Sequence, residues 1–208
     1  MPRTTDHDLR RRQLTDAVWR IADRQGLVGR GLRAVTIRQV AAEAGVSVGM
    51  VQHYFSTKDE MLQFAIDGLQ EQVGAEVLRK LAALGSEPDP MEVIRILLLA
   101  RLPLTRRQRA RGQIALSWLV NIGWRPEAQE AVIESQRRFC GALVDQLGAA
   151  HRLGRVARSV DTATAAYGLF ALSEGLAAGL LSGLHRRPIA VRVLEDHLRL
   201  LSQKDLPR

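Results

Sequence analysis

The chain has 208 residues, 46% hydrophobic and 25% charged, enough for a substantial core beneath a polar surface. Its formal charge of +8 favours polyanionic partners without identifying one. The single cysteine, Cys140, excludes an intrachain disulfide and fits a reducing compartment, so a cytoplasmic location is expected.

The opening residues, MPRTTDHDLRRR, lack the apolar stretch of a secretory signal. Leu9–Gln25 reads as the first helix, with Leu14, Ala17, Val18, Ile21 and Ala22 on one face and Trp19 at its edge. The run Arg10–Arg12 could touch phosphate or simply be solvated. Gly26 supplies a stop, and Gly26–Arg33 reads as a loop.

A short helix follows, opened by Thr36 and Gln39 as a capping box and closed by Gly45. Ile37, Val40, Ala41 and Ala44 make its apolar face. Ser47 caps a second short helix through Tyr54, on which Val51 and Phe55 pack inward. Val48, Gly49, Met50, Gln52 and His53 lie around the other side. Two short helices across a tight glycine turn make a helix-turn-helix, whose second helix enters a DNA major groove.

Thr57 and Glu60 form another capping box, opening a long helix that runs from Lys58 to about Leu84. Its apolar positions are Met61, Leu62, Ala65, Ile66, Leu69, Val73, Val77 and Leu81. A cation such as Lys58 at the positive end of a helix is mildly unfavourable unless a phosphate sits there. The domain boundary is therefore placed at residues 1–57 for the DNA-binding domain. Residues 58–208 form a helical ligand-binding and dimerisation body, entered through this long helix.

Gly85–Pro90 is a loop, followed by the apolar helix Met91–Leu102 and a helix over Thr105–Ile122 with a basic first turn. Pro126 starts the next helix, Glu127–Ala149, with Ala128, Ala131, Val132, Phe139, Leu143 and Leu147 inward. Asp161–Leu184 and Ile189–Leu201 complete the chain. With no strand-period segment and only 4% aromatics, the expected fold class is all-α. Residues 105–160 carry ten Lys/Arg against four Asp/Glu, a larger excess than the ten against seven of residues 1–60, so net charge does not locate the DNA surface.

Thr162–Leu184 has Glu174 as its one charged residue and glycines at 175, 179 and 183, like the small-residue face of a membrane helix. A mid-span carboxylate opposes that reading, and a buried or interface helix is expected instead. Leu172, Gly175, Leu176, Gly179, Leu194, Leu198 and Leu201 are the candidate dimer-interface residues, since a two-fold pair doubles the DNA site that one recognition helix reads. The same faces could close the protomer's own core. Trp118, Asn121, Trp124, Gln136, Cys140 and Glu174 are the candidate ligand-pocket residues. Both tryptophans are equally explained as ordinary core, and the polar members matter only if buried.

The segments Thr36–Ser47, Gly49–Lys58 and Glu60–Leu62 together resemble the N-terminal signature of TetR-family transcriptional regulators. The resemblance implies all-helical dimers, usually repressors, whose last two long helices pair and whose body often encloses a small molecule. It places Val48, Gly49, Met50 and Gln52 at base edges, Tyr54 and Lys58 at phosphates, and Thr36 at the cap of the helix that abuts the backbone; Thr36 and His53 are taken with them as phosphate candidates. Gln52 departs from the family, where tyrosine is common; a glutamine can bond bidentately to adenine. Ala171–Leu176 and Ala190–Leu201 are similar to the BetI-like branch. The implied partners are a double-stranded operator, a second copy of the chain and a small-molecule effector, apolar or amphipathic by default. No membrane partner, cofactor, metal or catalytic residue is expected. A ligand-independent architectural DNA binder and a helical enzyme are the competing readings. No nucleophile–base set, metal cluster or phosphate loop supports the second.

Overall fold

The computed structural model describes residues 3–25, 35–122 and 126–202. Among the described residues the regular elements are all α-helical. They are α1 (Arg3–Gln25), α2 (Ile37–Ala44), α3 (Val48–Tyr54), α4 (Lys58–Ala82), α5 (Pro90–Arg101), α6 (Arg106–Ile122), α7 (Pro126–Arg152), α8 (Thr162–Ser182) and α9 (Arg187–Ser202). They pack as two compact units, one of Met1–Gly74 with Arg106–Gly123, the other of Ala75–Thr105 with Trp124–Arg208. The Gly26–Arg33 loop and Trp124 lie outside the described residues, as do the side chains of Trp118 and Asn121.

In the first unit the apolar stripe of α1 (Leu14, Ala17, Val18, Ile21) meets Val40 and Ala41 of α2, Val51 and Phe55 around α3, and Met61, Leu62, Ala65 and Ile66 of α4. α1 begins six residues before Leu9 because its first turns are polar, and apolar periodicity does not report them. Trp19 belongs to the core rather than its edge. It is 3% exposed, and its indole N–H donates to the Ala65 carbonyl at 3.1 Å, which removes the cost of burying that polar atom. α6 joins the same unit through ions. Arg107 and Arg111 both reach the Asp23 carboxylate of α1, at 3.1 and 3.2 Å, and the Arg111 guanidinium lies 5.2 Å from the Trp19 ring.

The second unit is built on α5, α7, α8 and α9. Ile94 and Leu98, Leu143 and Leu147, Leu169 and Leu176, and Leu194 and Leu198 interlock in its core. Asp89 caps α5 by accepting from the Met91 amide at 2.9 Å, and Asp161 caps α8 by accepting from Thr164 at 2.7 Å. Arg95 ties α5 to Glu195 of α9 at 2.7 Å. α8 is long and apolar enough to cross a membrane, yet Ala166, Leu169, Ser173, Leu176, Gly179 and Leu180 form a buried stripe on this core.

Two positions of the apolar helical patterns, of which Val132 was expected to face inward, are left open. Val73 of α4 and Val132 of α7 are 40% and 41% exposed. Helical spacing defines a face but not a partner for it, and in this protomer neither side chain is covered.

Candidate nucleic-acid interface

The helix-turn-helix is assembled by local caps. The Thr36 hydroxyl accepts from the Gln39 amide at 3.2 Å while the Gln39 side-chain oxygen accepts from the Thr36 amide at 2.9 Å, so two free donors at the start of α2 are satisfied. Gly45 ends α2 with φ of 69°, the left-handed conformation that favours glycine. From there the Val46 amide reaches back to the Ala41 carbonyl at 2.9 Å. Ser47 then accepts from the Met50 amide at 3.1 Å, and α3 begins.

Helical spacing divides α3 cleanly. Val51 and Phe55 are 0% and 1% exposed and anchor it to the first core. Val48, Gly49, Met50, Gln52 and His53 are exposed, and Thr36 is exposed at the start of α2; Tyr54 and Lys58 are half-buried. Val48 and Met50 are large apolar side chains left 37% and 42% exposed, outside the first core. His53 and Tyr54 are in edge contact at 5.2 Å between ring centroids, and His7 of α1 comes within 4.9 Å of the same tyrosine. His7 escaped the sequence reading because it precedes the apolar stripe.

At the turn into α4, the Thr57 hydroxyl accepts from the Glu60 amide at 3.1 Å. The return bond of this box goes one residue further than expected: Glu60 accepts from the Ser56 amide at 2.9 Å. Its other carboxylate oxygen takes a 2.8 Å bond from Arg11. Among the described residues no three His, Cys, Asp or Glu side chains gather as a metal group.

The pocket candidates fall in two settings. Cys140 is buried and Gln136, one turn before it, is half-buried. Burial pushes the Cys140 thiol above its ordinary range, with nearby Arg101 acting in the opposite direction. Glu174 is not isolated: it is exposed and paired with Arg101, which approaches from α5. The Arg101 guanidinium lies 4.5 Å from the Phe139 ring and 5.0 Å from the Phe170 ring, joining three helices around one cation. Arg101 and Phe170 were not singled out from sequence. In the first unit, an open cleft of about 220 Å³ lies between α1 and the end of α2, lined by Arg10, Gln13, Asp16 and Arg20 among others.

Of the interface candidates, Leu176, Gly179, Leu194 and Leu198 are buried within the protomer, Leu172 and Leu201 are half-buried, and Gly175 is exposed. The stripe read as a contact face therefore divides, most of it being consumed by the second unit's own core. Tyr167, Ile189, Val193 and Leu200 remain exposed on the same two helices, at 39–61%.

The family model for bacterial regulatory proteins of the tetR family matches residues 24–64, the segment containing these caps and α3. Across the whole chain, a transcriptional regulator BetI from Escherichia coli O17:K52:H18 is 30% identical, with 100% of this chain and 99% of that protein covered. The chain belongs to the tetR family. This TetR-family chain is also 27% identical to the transcriptional regulator PksA of Bacillus subtilis, over 96% of its own length and 89% of PksA. A regulator from Saccharomonospora viridis, solved in complex with choline, shares its fold with a TM-score of 0.74 at 22% identity, covering 92% of this chain and 96% of that one. The TetR-family assignment makes the chain a transcriptional regulator of all-α architecture. Its helix-turn-helix is followed by a long helix leading to the helical body.

Proposed function

We propose that this regulator is a repressor that binds a palindromic DNA operator as a homodimer and leaves it when a small molecule occupies the helical body. The observation that carries the reading is the division of α3, with Val51 and Phe55 fixed in the core and Val48, Gly49, Met50 and Gln52 turned to solvent. Those four read bases, and Thr36, His53, Tyr54 and Lys58 meet phosphates. Gln52, with both a donor and an acceptor, prefers adenine. A second copy pairs through the exposed remainder of α8 and α9, placing two recognition helices about 34–36 Å apart, one turn of B-DNA.

BetI proteins that match over the full chain at 26–30% identity favour the BetI-like branch. That likeness does not decide the effector. The faces of Phe139 and Phe170 are already taken by the Arg101 cation, so an apolar or amphipathic molecule that displaces or pairs with Arg101 fits the body better than a simple cation does. Occupation of the body shifts α4, whose first turn contains Lys58, and the two half-sites lose register. Linkage requires operator DNA to weaken effector binding by the same factor.

Selection of duplexes from a random pool, followed by footprinting, tests the reading. An inverted repeat protected by a dimer is expected. Protection of an asymmetric site by a single protomer, or no selected sequence, would overturn it. Titration of choline and of long-chain acyl compounds with and without the selected duplex then tests the coupling. A tight ligand with equal affinity in both conditions is not the inducer.

A further inference from the structure

We propose that Arg11 is a positioning residue for the DNA-backbone contact at the α3–α4 turn, acting through Glu60 rather than touching DNA itself. The inference rests on the DNA-binding reading above and adds the device that sets the turn. Three consecutive arginines on α1 meet different fates. Arg10 is exposed and bonds Gln13 at 2.9 Å, and Arg12 is 65% exposed and pairs loosely with Glu71 at 3.2 Å. Arg11 alone turns inward, with its side chain 21% exposed.

Its guanidinium is held on three sides. It stacks 4.7 Å from the Phe55 ring and 4.3 Å from the Phe64 ring, and it donates to Glu60 Oε1 at 2.8 Å. Its Nε is buried with no hydrogen-bond partner, so stacking on the two rings, not full hydrogen bonding, keeps the group in place. Phe55 is the cap residue that ends α3, Phe64 lies in the second turn of α4, and Glu60 in its first. Glu60 in turn accepts from the Ser56 amide at 2.9 Å, and its own amide donates to Thr57 at 3.1 Å. One planar cation thus fixes the end of the recognition helix, the connecting turn and the start of α4 relative to α1.

The turn so fixed, Ser56–Lys58, contains the lysine assigned above to phosphate. An arginine suits this place and a lysine does not. Only the flat guanidinium can lie against two rings while bonding a carboxylate in its own plane. Only 21% of the Arg11 side chain is exposed, against 65% for Arg12, so most of it is committed to the rings and Glu60.

The test is the salt dependence of binding to the selected inverted repeat, measured by fluorescence anisotropy for the full chain. Four proteins are compared: wild type, Lys58→Ala, the charge-neutral double variant Arg11→Met/Glu60→Gln, and the triple variant. Losing one phosphate contact lowers the slope of log affinity against log salt by about 0.9 per subunit. That loss is expected in Lys58→Ala and equally in the double variant, whose net charge is unchanged. The triple variant should lose no more than Lys58→Ala, because both routes remove the same contact. An unchanged slope in the folded double variant would make the network purely structural and overturn the proposal. Losses that add in the triple variant would also overturn it, by making Arg11 a separate contact. If the double variant does not fold by circular dichroism, Arg11→Lys is decisive: it keeps the charge and lacks the planar stack, and its slope should fall likewise. A wild-type chain that selects no duplex refutes the DNA-binding reading instead, so the two failures are distinct.

Discussion

Two glycines one helical turn apart on α8 should respond to alanine in opposite ways. A Cβ built on Gly175 meets nothing within 4 Å, whereas one built on Gly179 falls on the His185 imidazole. His185 is drawn back over this turn by its own amide, which donates to the Gly179 carbonyl at 2.9 Å. Alanine inside a helix is worth about 0.8–1 kcal/mol over glycine, so Gly175→Ala should stabilise the protomer by that amount. Gly179→Ala has the same propensity gain but must displace the ring, and overpacking of this kind costs about 1–3 kcal/mol. The propensity gain cancels between the two variants, leaving Gly179→Ala less stable than Gly175→Ala by about 1–3 kcal/mol. Urea unfolding followed by helical circular dichroism measures both. It should be run where sedimentation shows dissociated protomers, because association would add its own stability. His185→Ala in the Gly179→Ala background should recover most of the loss. Equal stabilisation by the two alanines would refute the reasoning, since the imidazole would then be free to leave. The outcome also bears on the proposed dimer: a bulky residue at Gly179 disturbs the chain's own packing first, so Gly175 is the position at which to test the proposed interface.

Gln52→Ala should cost about 1–3 kcal/mol at one base pair of the selected operator and relax the preference there, read by titrating single-base variants of the duplex. Asp23→Ala should destabilise the first unit by about 1.5–3 kcal/mol, because Arg111, only 11% exposed, loses its carboxylate; denaturation at low and high salt should give nearly the same loss. Hydrogen bonds from Thr164 hold the Asp161 carboxyl below its ordinary range. The cap of α8 is therefore fully present above the unfolded value of about 3.9 and is lost as pH falls through the lower folded value. Asp161→Asn should flatten that acid limb of the stability profile, which thermal melts from about pH 5, above both values, down to about pH 2 would detect.

The helix-turn-helix was legible because every signal that builds it is local. Thr36 with Gln39, Gly45 and Ser47 act within a turn of where they stand, and the inward pair Val51 and Phe55 shares one helix face. What sequence left open depends on distant partners. Three arginines of one type stand at 10–12, and the choice among them is made by Glu60, 49 positions away. The basic first turn of α6 reads as a solvated face until Asp23, 88 positions earlier, comes alongside Arg111. Glu174 reads as isolated along its own helix and is neutralised by Arg101, 73 positions away. The leucines of α8 and α9 have the spacing for either a core or a partner, and periodicity cannot apportion them. Packing in the protomer assigns Leu176, Leu194 and Leu198 to the core.

The separation of duties along α3 has an evolutionary consequence. Because Val51 and Phe55, with Tyr54 partly buried beside them, root this helix in the core, exchanges at Val48, Met50 and Gln52 touch solvent and leave the fold's stability nearly unchanged. A lineage can therefore rewrite these outward positions by single steps without first acquiring compensating mutations. The scaffold is inherited intact while the face proposed to read DNA is free to drift.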